Sequence, residues 1–220
     1  MKKTWALIPF FLILTASCST FKKKPNSEPE STSSRPGITL VMGGLGVYGL
    51  THAGILRVLE KEEIPIKSLI AFQTGAFVAS LYAESENSFT TEWKASQMSL
   101  DKYYSSPHIF SETSQTSVQP FKNFIRSKIQ TTAIENLKIP LTILATDLLT
   151  GDSISIQKGH LIQAILSSNA IPGFFSPVQW STHRVLISPA FGREFDLSKD
   201  SEVLVFVDVK GKKADPPLED

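Results

Sequence analysis

Short apolar runs alternate with longer amphipathic stretches along most of the chain. Residues 38–42 form a nearly continuous apolar run of strand length, followed by a glycine-rich turn over 43–49. From about Leu50 to Lys61 the apolar positions Leu50, Ala53, Ile55 or Leu56, and Val58 with Leu59 recur at helical spacing. Pro65 closes that connection, and residues 68–72 form a second apolar strand. That strand runs through Gln73, Thr74 and Gly75 straight into a helix expected over 76–83. Further helices are expected over 89–100 and 118–129, around a serine-rich stretch. Pro140 precedes a strand over 141–146, and a turn over 149–152 leads to an alternating strand at 153–156. A helix over 160–168 ends at the break formed by Ile171, Pro172 and Gly173, and strands are expected at 185–187 and 203–209. Strand, turn and helix repeating in this order predict an α/β fold with a mostly parallel sheet.

The first 37 residues do not follow this pattern. Lys2 and Lys3 precede an uncharged, apolar stretch over 4–17 that is too short to span a bilayer, which needs about 20 residues. The stretch ends in Leu14-Thr15-Ala16-Ser17-Cys18, which resembles the cleavage site of bacterial lipoprotein signals. That resemblance implies cleavage before Cys18, lipidation of Cys18, and a membrane anchor made of several acyl chains. Ser19, in place of Asp, implies an outer-membrane destination facing the periplasm. The alternative is an ordinary secreted protein cut after Ser17, with a free thiol at Cys18. Residues 18–37 are rich in serine and proline, carry Lys22, Lys23 and Lys24, and have Phe21 as their only large apolar side chain. Such a segment buries too little apolar area to fold and is expected to be a disordered tether. The expected organisation is therefore a signal peptide over 1–17, a tether over 18–37, a folded domain over 38–210 and a tail over 211–220.

Charge sharpens that division. The net charge of the 220 residues is +1. Residues 1–17 carry +2 and residues 18–35 another +2, which leaves the body at −3. A nucleic-acid partner is not expected from such a body. Cys18 is the only cysteine, so no internal disulfide or cysteine-based zinc site is possible. His52, His108, His160 and His183 show no metal-ligand spacing, and no cofactor is expected.

The turn Gly44-Leu45-Gly46-Val47-Tyr48-Gly49 matches GxGxxG between a strand and a helix. The dinucleotide reading of that motif also needs an acidic residue at the end of the second strand, where Ala71, Phe72 and Gln73 stand instead. The same turn, continued through Thr51-His52-Ala53-Gly54, resembles the glycine-rich loop of patatin-like phospholipases. So do the stretch to Ala83, the segment from Pro140 to Gly151, and the run Ser168-Asn169-Ala170-Ile171-Pro172-Gly173-Phe174-Phe175. The resemblance extends from about Ile38 to Val209. It implies a three-layer α/β/α sandwich with a mostly parallel central sheet. It also implies a serine nucleophile in a GxSxG elbow, an aspartate base without histidine, and backbone donors in the glycine-rich loop that hold an oxyanion.

This chain departs from that pattern where the chemistry would occur. The elbow aligns as Ala71-Phe72-Gln73-Thr74-Gly75 and the base motif as Leu186-Ile187-Ser188-Pro189-Ala190, so Gln73 and Ser188 occupy the nucleophile and base positions. A carboxamide is no nucleophile at neutral pH, and serine does not act as a base there. Losing a nucleophile costs on the order of 10⁶ in rate, and a second loss adds little. In the loop formed by Gly44, Leu45, Gly46 and Gly49, Leu45 replaces a glycine, and Tyr48 stands where the family has a cation. Asp147, Asp208 and His52 are the remaining titratable residues near strand ends, and capping or packing roles are expected of them. The expectation is a membrane-anchored pseudohydrolase of the cell envelope, acting as a lipid-binding or docking module. Its partners would be the membrane, through Cys18, and a phospholipid or acyl ligand. The alternative is an active lipid acyl hydrolase with a rearranged site.

Overall fold

The computed structural model of the chain describes residues 37–99, 118–182, 184–189 and 203–207. All of them fall in one compact unit, Arg35–Asp220. The expected signal peptide, Cys18, all but Gly37 of the expected tether, the serine-rich stretch, His108, His183, Asp208 and residues 211–220 lie outside the described residues.

Strand β1 (Ile38–Met42) is buried along its whole length. A loop leads to the one-turn helix α1 (Val47–Leu50) and then to α2 (His52–Lys61), which turns Ala53 and Leu56 into the core. The sequence pattern treats the helical run as one piece beginning at Leu50. In the structure the glycine-rich loop already turns helical at Val47, and the run breaks at Thr51. Strand β2 (Ile66–Ala71) follows, then α3 (Thr74–Ser85). Every residue of α3 from Thr74 to Ala83 is buried. A helix apolar on all sides belongs at the centre of a domain, not on its surface. Gly75, Ala76, Ala79, Ser80 and Ala83 keep it thin enough to be surrounded, and the Ser80 hydroxyl is satisfied by the Ala76 carbonyl at 2.6 Å. Helix α4 (Ser88–Ser96) starts at Asn87, whose side chain accepts the Thr90 N–H at 2.7 Å.

After α5 (Gln119–Lys128), strand β3 (Leu141–Asp147) and strand β4 (Ser153–Ile156) form a hairpin. Helix α6 (Leu161–Asn169) leads to β5 (Val178–Ser181), β6 (Arg184–Ile187) and β7 (Leu204–Phe206). The sheet order is β5-β6-β3-β2-β1-β7, with β4 also paired to β3. Strands β7, β1, β2 and β3 run parallel, as expected. The β3–β4, β3–β6 and β5–β6 pairs are antiparallel, so the sheet as a whole is mixed. Strands β4 and β6 fall where the sequence places them, and only β5 is missed, because Gln179 and Ser181 alternate with Val178 and Trp180 in a strand too short and polar to read as buried.

Alternate residues of the central strands feed two separate cores. Leu40, Met42, Leu69, Ala71 and Ile143 join the large cluster that α2, α3, α5 and α6 complete. Val41, Ile70 and Leu144, on the other face, form a small cluster with Phe72 against it. A sheet buried on both faces is the middle layer of a sandwich. Because β1, β2 and β3 run parallel, their carboxyl ends meet at one edge. The loops 43–46, 72–73 and 148–152 therefore lie together there.

Candidate functional site

The link between β2 and α3 is only two residues long, Phe72 and Gln73. To make the turn, Gln73 adopts φ 54° and ψ −137°, a region that side-chain-bearing residues rarely occupy. Such a conformation costs about 1–3 kcal/mol and persists only where the surroundings enforce it. Here they do. The Gln73 N–H donates to Ser168 Oγ at 2.8 Å, and Ser168 Oγ in turn donates to the Leu144 carbonyl at 2.7 Å. The Gln73 carbonyl accepts from Asn169 Nδ2 at 2.8 Å. The last turn of α6 thus grips both sides of the elbow.

Gly75 lets the elbow sit against β1. A Cβ there would meet the Met42 carbonyl oxygen at 2.5 Å. In the glycine-rich loop the positive φ angles fall on Gly44 (99°) and Gly46 (59°), not on Leu45. The leucine therefore occupies its place without the left-handed strain that a lost glycine implies in sequence. The Gly46 N–H donates to Thr74 Oγ1 at 2.9 Å, and the Thr74 N–H donates to the Gly44 carbonyl at 3.2 Å. Loop and elbow are therefore tied to each other, and the Gly46 N–H is engaged by protein. Gly49 completes the fit, because a Cβ on it would meet the Gly44 carbonyl oxygen at 2.5 Å.

Ser188 lies just beyond β6 and is fully buried. Its N–H donates to the Ala170 carbonyl at 2.9 Å. Gln73 Nε2 donates to Ser188 Oγ at 3.3 Å. The fold thus brings together the two positions that the sequence identifies, 115 residues apart, and their side chains meet. A carboxamide donating to a hydroxyl offers no nucleophile and no base. The pair does for the elbow what a nucleophile–base hydrogen bond does in geometry, but not in chemistry.

Of the other titratable candidates, His52 and Asp147 are among the described residues, and both make contacts that hold loops. His52 is fully buried and its Nε2–H donates to the Gly43 carbonyl at 2.7 Å, while Nδ1 has no partner. Burial pushes its pKa below the ordinary 6.5, against the Gly43 hydrogen bond, and so keeps the ring neutral. It pins the start of the glycine-rich loop. Asp147 closes the β3–β4 turn: Oδ1 accepts the Leu149 N–H at 2.9 Å and Oδ2 pairs with Arg184 Nε at 3.2 Å. Tyr48 is about half exposed. The sequence pattern assigns no role to Ser168 and Asn169, although both stand in the run Ser168–Phe175 that carries part of the resemblance. Their signal is that two small polar residues end a buried apolar helix.

An α/β sandwich with a strained strand–turn–helix elbow at the carboxyl ends of its parallel central strands is a frame that acyl hydrolases also use. Residues 40–191 match the patatin-like phospholipase family, and the chain belongs to it. An uncharacterised NTE family protein of Mycobacterium tuberculosis is 30% identical over 145 residues, covering 66% of this chain and 40% of that protein. Human patatin-like phospholipase domain-containing protein 6 is 29% identical over 152 residues, covering 64% of this chain and 10% of that protein. The chain therefore spans well under half the length of these relatives. Among solved structures, VipD from Legionella pneumophila shares the fold, with a TM-score of 0.58 at 10% identity over 78% of this chain and 49% of that one.

Proposed function

We propose that this protein is a non-hydrolysing patatin-like domain that associates with lipid at the cell envelope, anchored through a lipidated Cys18. The observation that carries the reading is the Gln73–Ser188 contact. The elbow keeps its strained backbone and its clamps, yet its facing side chains are an amide and a hydroxyl. Lipid association is supported by exposed apolar side chains at the same edge. Leu45 in the glycine-rich loop, Val47 at the start of α1, and Leu148 and Leu149 in the β3–β4 turn are all exposed there. Exposed apolar side chains gathered at one edge mark an interaction surface.

The test uses purified full-length protein with p-nitrophenyl esters and with phospholipid vesicles. The wild type is expected to sediment with vesicles and to release neither p-nitrophenol nor free fatty acid. The double variant Gln73→Ser, Ser188→Asp is expected to gain ester hydrolysis, because only the two side chains of the reaction centre change. Wild-type turnover that Gln73→Ala abolishes would overturn the reading. In cells, Cys18→Ser is expected to move the protein from the membrane to the soluble fraction, and unchanged membrane retention would refute the anchor.

A further inference from the structure

A cavity of about 440 Å³ opens between α5, α6 and the segment leading into β5. None of its lining residues belongs to the elbow or the glycine-rich loop. Val118, Lys122 and Arg126 line one wall. They recur every four residues and so form a single stripe along α5. Ile162 and Leu166, one turn apart on α6 and both buried, form the floor with Val178. Phe121 stacks on Phe175 with ring centroids 6.0 Å apart, which holds the third wall against α5. The cavity is therefore preformed, within the usual range of about 300–1,000 Å³ for small-molecule sites.

Its electrostatics are one-sided. Among the described residues the lining holds Lys122, Arg126 and His160 and no carboxylate. No ion pair joins Lys122 or Arg126 to an acid among the described residues, where the ion pairs are Arg57–Glu92, Lys94–Glu84, Lys138–Glu86 and Arg184–Asp147. Two like charges one helical turn apart repel by a few tenths of a kcal/mol, and an anion between them reverses that sign. The cavity also faces away from the elbow. Ser168, which holds Gln73, is two residues past Leu166 and so about 200° around α6.

We infer that this cavity is a binding site for a single-tailed anionic amphiphile. The tail lies on Ile162, Leu166 and Val178, and a carboxylate or phosphate head sits on Lys122 and Arg126. The inference does not depend on whether the elbow hydrolyses esters.

Calorimetric titration of the full-length protein tests it, with dodecanoate and dodecyl phosphate as probes below their micellar concentrations. Acetate and inorganic phosphate report the head alone, and dodecyltrimethylammonium the tail with the opposite charge. One saturable site for both anionic amphiphiles is expected. Affinity should be at least tenfold weaker in the Lys122→Glu, Arg126→Glu variant, whose changed side chains reach solvent and leave the core intact. Val178→Trp, which fills the cavity without touching its charge, should also weaken binding. Equal affinity of the charge-reversed variant, or equally tight binding of the cationic amphiphile, would overturn the inference. So would inorganic phosphate binding as tightly as dodecyl phosphate, because the site would then be an anion site with no use for a tail.

Discussion

Gln73 holds a backbone conformation that an amide side chain does nothing to favour. The energy for it comes from neighbours: one hydroxyl on its N–H, one carboxamide on its carbonyl, and Ser188 on its side chain. Each such bond contributes about 1 kcal/mol net, and together they offset a strain of about 1–3 kcal/mol. Ser168 is the most exposed to test, because its single oxygen both accepts from Gln73 and donates to Leu144. Ser168→Ala removes both bonds and leaves a part-buried N–H unpaired. We expect a loss of about 1–3 kcal/mol in stability, read as a lower denaturant midpoint with an unchanged slope. A variant as stable as the wild type would mean that the elbow does not need its clamp. At this scale the sequence is informative about absences and silent about supports. Gln73 and Ser188 stand out because a motif names their positions. Ser168 and Asn169 reach the elbow only through a contact 95 and 96 residues distant in the chain, which no local pattern encodes.

The elements differ in how plainly their residues announce them. Strand β1 and helix α3 are legible because both are buried on every side, and burial writes continuous apolar runs. Strand β5 is not, since only its alternate residues turn inward and its four positions are too few to establish a period. The start of α1 is equally hidden, because the glycines that shape the loop also weaken the helical signal. The junction of α3 with β1 is a close backbone approach that rests on Gly75. Gly75→Ala gains up to about 1 kcal/mol of helix propensity. It also places a methyl 2.5 Å from the Met42 carbonyl oxygen and 3.0 Å from the Gly43 nitrogen. Backbone cannot rotate away as a side chain can, so overpacking wins, at about 1–3 kcal/mol. The expected result is a destabilised protein with a lower thermal midpoint. An unchanged or higher midpoint would show that α3 can slide from β1.

For the whole molecule, charge and burial together set how the fold responds to acid. His52 and Glu84 both have pKa values held below their ordinary ones, from different causes. Burial depresses the His52 pKa below 6.5, and the Gly43 hydrogen bond only partly opposes it. Burial works the other way on Glu84, but amide donation from Thr131 and Gln130, with Lys94 nearby, outweighs it and holds the carboxyl below 4.5. In both cases the unfolded chain takes up a proton at higher pH than the native one. Stability therefore rises with pH through each window. The His52 contribution is fully present above pH 6.5 and is lost as the pH falls through the native value. The Glu84 contribution is present above 4.5 and disappears below it. Thermal unfolding of the full-length protein from pH 8 to pH 4 should show a falling midpoint that begins near pH 6.5. His52→Gln keeps a side-chain donor for the Gly43 carbonyl but removes the titrating ring, so the first part of the fall should flatten in that variant. Glu84→Gln keeps an acceptor for Thr131 and Gln130 and should flatten only the second part. A profile that His52→Gln leaves unchanged would mean that the ring takes up its proton at the same pH in the native and the unfolded chain, so that burial does not hold it neutral.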